Sequence, residues 1–155
     1  MEKLWGLIFF LVVTPCWAFG QKADNTEAKD STNLYYQAFS NYCAQLSSEN
    51  VQTLLLEENN ITTGSIPRRI GAHNIEVLDV FGVQNKLKEK KSIILIRIVP
   101  LRIKNGKFFI NIIPFNVVST SSGINYINSG GSIVEFLYDC SSKKFNILGV
   151  KTNGI

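Results

Sequence analysis

Ile93-Ile-Leu-Ile-Arg-Ile-Val-Pro-Leu-Arg-Ile103, followed by Lys104-Asn-Gly-Lys107 and then Phe108-Phe-Ile-Asn-Ile-Ile-Pro-Phe-Asn-Val-Val118, is the stretch that decides the fold. Two runs rich in β-branched and aromatic residues flank Asn105-Gly106. A two-residue type I′ turn selects Asn-Gly because both central residues take φ > 0. The stretch therefore predicts one long antiparallel hairpin, 93–118. Its turn sets the register: Lys104 opposite Lys107, Ile103 opposite Phe108, and so on to Ile93 opposite Val118. Each arm is about 36 Å long at ~3.3 Å per residue, longer than most strands. Pro100 falls opposite Asn111 at a hydrogen-bonded pair, and its missing N–H predicts a bulge or kink. Pro114 falls opposite Arg97 at a non-hydrogen-bonded pair. Its nitrogen points away from that partner, so the far side of its strand should be an edge or a break. Both faces are apolar near the open end, and one turns polar at Arg102, Lys104 and Lys107.

Arg97 lies between Leu95 and Val99 on one face of this hairpin. Its stem is expected to be buried, and a guanidinium that cannot lose its proton then needs a fixed partner. Glu135, Glu76 or an acidic ligand could supply it.

Upstream, Leu34 to Leu46 has a helical stripe, Tyr35, Phe39, Tyr42 and Leu46, with Ala38 and Cys43 beside it. Asp30, Ser31, Thr32 and Asn33 are its candidate N-caps. Val51 to Glu57 reads as a strand. Residues 59–73 read as a long loop holding Arg68, Arg69 and His73. Val80, Val83 and Leu87 have helical spacing, and the lysines from 86 onward suit the negative end of that helix dipole. Downstream, 119–131 reads as a second loop, rich in Ser, Asn and Gly. Ser132–Cys140 and Lys144–Lys151 form a last hairpin in which Val134, Phe136 and Tyr138 share a face.

The fold class is α+β: an N-terminal helix packed on a curved antiparallel β-sheet, with the helix covering its apolar face. This element order resembles cystatin-like and NTF2-like folds. The resemblance is one of order alone, since the Gln-x-Val-x-Gly motif of cystatin inhibitors is absent.

The first residues resemble a secretory signal peptide: Lys3, then an apolar run from Leu4 to Val13, then small residues at Cys16 and Ala18. Cleavage after Ala18 or after Gly20 fits. Ten apolar residues are too few to span a bilayer, which needs ~20. A rival reading is a bacterial lipoprotein signal with a lipid anchor on Cys16; Pro15 and Trp17 depart from that pattern. The domains are then a signal peptide at 1–18, a disordered lead-in at 19–32 and a single α+β domain at 33–155, within the size of one domain. The expected location is periplasmic or secreted.

The formal net charge is +4. It suits an acidic partner or surface and equally a basic protein without one. Cys43 and Cys140 are the cysteines left after processing, and an oxidising compartment permits one bridge between them; two separate thiols are the alternative. His73 is the single histidine, and an exposed loop position is expected for it. No zinc spacing, phosphate loop or nucleophile elbow is present, so no metal, cofactor or catalytic residue is assigned. Basic and aromatic residues do not interleave as nucleic-acid binding would need. Asn60-Ile61-Thr62 matches a glycosylation acceptor.

The favoured function is an exported, non-catalytic binding or interaction domain, whose partner is an unknown protein or a small acidic ligand. The two long loops are its expected surfaces. Arg68, Arg69, His73, Arg97 and Tyr126 are the candidate contacts: arginines for an acidic group, Tyr126 as an aromatic anchor. One alternative is a small cavity-containing enzyme or ligand-binding protein of NTF2-like shape. Another is a structural envelope protein whose basic face meets lipid or polymer.

Overall fold

Asn105 (φ 53°) and Gly106 (φ 73°) take the left-handed conformations that the tight turn requires. The computed structural model describes residues 32–46 and 52–153, so the expected signal segment and nearly all of the expected lead-in lie outside the described residues. In chain order the elements are α1 (Leu34–Gln45), β1 (Thr53–Glu57), β2 (Arg69–Ile70), β3 (His73–Leu78), α2 (Val80–Glu89), β4 (Ser92–Ile98), β5 (Arg102–Lys104), β6 (Lys107–Thr120), β7 (Gly123–Asn128), β8 (Gly131–Asp139) and β9 (Lys144–Asn153). All strands join one sheet in the order β2-β3-β1-β4-β6-β8-β9, with β5 and β7 each paired to β6.

The hairpin forms as β4–β5 against β6. Near the turn the expected register holds, with Lys104 opposite Lys107 and Arg102 opposite Phe109. Past Pro100 it slips by one residue: Ile98 lies opposite Ile112 and Ile93 opposite Val117, not Val118. Three residues, Val99 to Leu101, oppose two, Ile110 and Asn111, which is the bulge that Pro100 demands. The Val99 N–H donates to the Asn111 carbonyl at 2.8 Å. The Leu101 N–H, turned out of the ladder, donates to the Tyr35 hydroxyl of α1 at 3.3 Å. The slip moves Pro114 opposite Ile96. The break expected on its far side is there: β8 pairs with β6 from Phe108 to Ile112, and β7 takes over from Phe115.

The sheet is mostly antiparallel, but β1 runs parallel to both neighbours, β3 and β4. Parallel strands need a crossover, and α2 makes it by carrying the chain from β3 past β1 to β4. Two stretches read as loops hold strands. Residues 119–131 contain β7, returned from β6 through Thr120 opposite Gly123. Residues 59–73 contain β2 and the start of β3, after a turn in which the Asn59 side chain accepts from the Ile61 and Thr62 amides at 2.9 and 3.2 Å.

Each sheet face has its own helix. On one face Tyr36, Ala38, Phe39, Tyr42 and Cys43 of α1 pack over Leu54, Leu56, Ile96, Ile98, Ile110, Ile112, Val134 and Phe136. Asn33 caps α1, accepting from the Tyr35 and Tyr36 amides. On the other face Val83 and Leu87 of α2 pack over Leu78, Ile93, Leu95 and Val117, with Leu55 and Phe115 at the margin. The alternation of strand side chains separates the two sets. α2 reaches only half of its face, and among the described residues no helix lies on the β5-β6-β8-β9 half.

Candidate functional site

The bare half-face is a basic cleft of about 590 Å³, lined by Arg102, Lys104, Asn105, Lys107, Phe109, Ile133, Glu135 and Lys151. Its place follows from the strand period. Phe109, Phe115 and Val117 share one side of β6, and Ile133 and Glu135 take the same side of β8, while Ile110, Ile112, Val134 and Phe136 turn to α1. Phe109 and Ile133 form an apolar floor. The turn holds Lys104 and Lys107 opposite one another at the lip. The Arg102 guanidinium lies over the Phe109 ring, 5.1 Å from its centroid.

Four cations thus surround one carboxylate. Glu135 accepts from Lys151 Nζ at 2.7 Å and pairs with Lys107 Nζ at 3.6 Å. The hydrogen bond from Lys151, with the nearby Lys107 charge, holds its carboxyl below the usual range. Among the described residues, Arg102 and Lys104 have no carboxylate partner. A guanidinium and an ammonium without a carboxylate partner, beside a half-buried apolar floor, can receive an anion joined to an apolar body.

A second crevice, of about 220 Å³, opens on the same face where β1 and β3 end and α2 begins. Glu57, Glu58, Asp79, Val80, Phe81 and Tyr126 line it. Asp79 caps α2, accepting from the Gly82 amide at 2.6 Å. Beside it Arg97 pairs with Glu57 through two of its three guanidinium nitrogens, Nε donating to Oε2 and Nη2 to Oε1, the latter at 2.8 Å. Its guanidinium carbon lies 4.8 Å from the Phe115 centroid and 5.7 Å from that of Tyr126. The partner is therefore Glu57, not Glu135 or Glu76. Pairing with Glu57 raises the Arg97 pKa above its ordinary value. The side chains are 43% and 26% exposed, so the largely buried stem expected of Arg97 is corrected to a half-buried side chain.

The sequence-derived contacts divide into two groups. Arg97 and Tyr126 meet at this crevice. Arg68 and Arg69 are exposed at the β2 edge, where Arg69 Nε donates to the Gly71 carbonyl at 3.3 Å. His73 is buried at the head of β3, not exposed on a loop, because β2–β3 pairing draws it into the sheet opposite Ile70. Cys43 is buried under α1, whereas Cys140 is exposed beyond β8; both are free thiols and not the bridge considered above. Burial pushes the Cys43 thiol up to about 12, which leaves it inert as a nucleophile. Among the described residues no cluster of His, Cys, Asp and Glu could hold a metal, and no helix is long and apolar enough to cross a membrane.

The basic cleft was half legible. Arg102, Lys104 and Lys107 mark the polar end of the hairpin in the sequence. Glu135 and Lys151 join them only through the pairing of β6 with β8 and of β8 with β9.

Compared with known proteins, the chain matches no family model, no curated protein and no solved structure.

Proposed function

We propose that the protein is an exported, non-catalytic binding domain whose basic cleft takes an anionic group carried on an apolar body. The observation that carries this reading is the pair of cations without a carboxylate partner among the described residues, Arg102 and Lys104, beside the apolar floor of Phe109 and Ile133. Glu135 holds Lys107 and Lys151 in place and leaves the other two cations for a ligand. The apolar floor supplies burial and the cations supply selection for charge. The cleft offers positioning and no nucleophile, which favours binding over catalysis. The resemblance of residues 1–18 to a secretory signal peptide supports the exported location.

Calorimetric titration with decanoate and with decanol tests the cleft. Decanoate should saturate one site per chain, and decanol should bind at least ~10-fold more weakly, as the loss of a charge-assisted hydrogen bond implies. The double substitution Arg102→Ala/Lys104→Ala should remove that preference. Equal binding of the two probes, or indifference to the substitutions, would overturn the reading.

A further inference from the structure

The basic cleft and the acidic crevice lie on the same sheet face, one in its bare half and the other beside α2. Each has what the other lacks. The cleft sets four cations against one carboxylate over apolar floor. The crevice sets Glu57, Glu58 and Asp79 beside Val80 and Phe81. Arg97 neutralises Glu57, while Glu58 and Asp79 have no cationic partner among the described residues. Val80 and Phe81 stand in the first turn of α2 at 70% and 72% exposure. Asp79-Val80-Phe81 is thus an anion joined to an apolar, aromatic body, the chemistry that the cleft selects.

We infer that the cleft's partner is a second copy of this chain. Two copies meet face to face about a two-fold axis. The first turn of α2 from each copy enters the cleft of the other, with Phe81 over Ile133 beside the Arg102–Phe109 stack and with Asp79 and Glu58 toward Arg102 and Lys104. A two-fold axis requires a self-complementary face, and a face basic at one end and acidic at the other is such a face. Shape agrees with charge, since α2 is a ridge on one half and the other half is bare sheet. Phe81 is the aromatic anchor and the charged residues are the rim. This inference rests on the reading of the cleft as an anion-binding site.

Sedimentation of the protein, purified in the form its own cell accumulates, provides the test. A dimer that weakens with added salt is expected. Phe81→Ser should weaken dimerisation at least ~10-fold, and Arg102→Ala/Lys104→Ala should weaken it comparably. Both sets are surface changes, so far-ultraviolet circular dichroism should be unchanged. Mixing the two variants restores one of the two contacts, and a heterodimer should form. In Phe81→Ser the cleft stays open, so decanoate should bind one site per chain without the competition from α2 that it meets in the wild-type dimer. A monomeric wild type that still binds decanoate overturns the dimer and leaves the cleft reading standing. Loss of decanoate binding by Phe81→Ser monomers overturns both. A dimer indifferent to both variants, a mixture that stays monomeric, or a different protein holding the cleft of a monomer overturns the inference.

Discussion

Arg97 shows how exposure sets the energy of an ion pair. Full burial would make either truncation cost about 3–5 kcal/mol. At 43% and 26% exposure of Arg97 and Glu57, solvent screens the pair, and its value falls to about 1 kcal/mol. Arg97→Met and Glu57→Gln should each cost roughly that much in urea unfolding, and the double substitution should cost less than their sum. A purely additive cycle would show that the pair contributes nothing. Cys43 behaves differently because it is buried. Its folded pKa of about 12 lies above the ordinary value of 9.0. The contribution is complete below pH 9 and is lost as the pH rises toward 12, where the unfolded thiol ionises and the folded one does not. Stability should fall by up to ~1.4 kcal/mol per pH unit in that window, and Cys43→Ala should flatten the slope. Alkylation mapped by mass spectrometry should modify Cys140 in the native protein and Cys43 only after unfolding.

At the level of elements, the break at Pro114 governs the second half of the sheet. Pro114 has no N–H to offer its far side, so β8 cannot extend along β6 past Ile112 and β7 takes the remainder. The chain leaves β7 and enters β8 through Gly130 and Gly131, both at positive φ. A Cβ on Gly131 would lie 2.4 Å from the Ile112 carbonyl oxygen, and its φ is 149°. Gly131→Ala should therefore cost on the order of 3 kcal/mol, from overpacking and backbone strain together. Chemical denaturation reads this directly, and a cost under ~0.5 kcal/mol, the range of neutral surface changes, would mean that the two strands can separate freely there. Turn chemistry and periodicity made the central hairpin, both helices and the β8–β9 pair legible in the sequence. β7 was missed although Ile124, Tyr126 and Ile127 favour strands, because its Asn and Gly content, with Ser on either side, reads as loop. β2 has two residues, too few for any period to appear.

For the whole molecule, the decisive feature is a sheet covered completely by neither helix. α1, twelve residues long, crosses one face centrally. α2, ten residues long, is tied to the β3–β4 crossover and stays over that half. The bare remainder is where the cations of β5, β6 and β9 collect, and the acidic start of α2 stands beside it. One face thereby carries both charges, which a single helix spanning the sheet would have prevented.

The sequence by itself determined the local structure: the Asn105-Gly106 turn, the bulge at Pro100, the α1 stripe, the break beside Pro114 and the α+β class. Each of these rests on φ restrictions, missing donors or side-chain period, which act within a few residues. Tertiary structure alone decided that β1 is parallel, that Arg97 meets Glu57 forty residues away, that His73 is buried, that Cys43 and Cys140 stay apart, and that Glu135 and Lys151 complete the cleft. Those outcomes depend on which strands become neighbours. That choice is made by burying both apolar faces of the whole sheet at once, and no short segment encodes it.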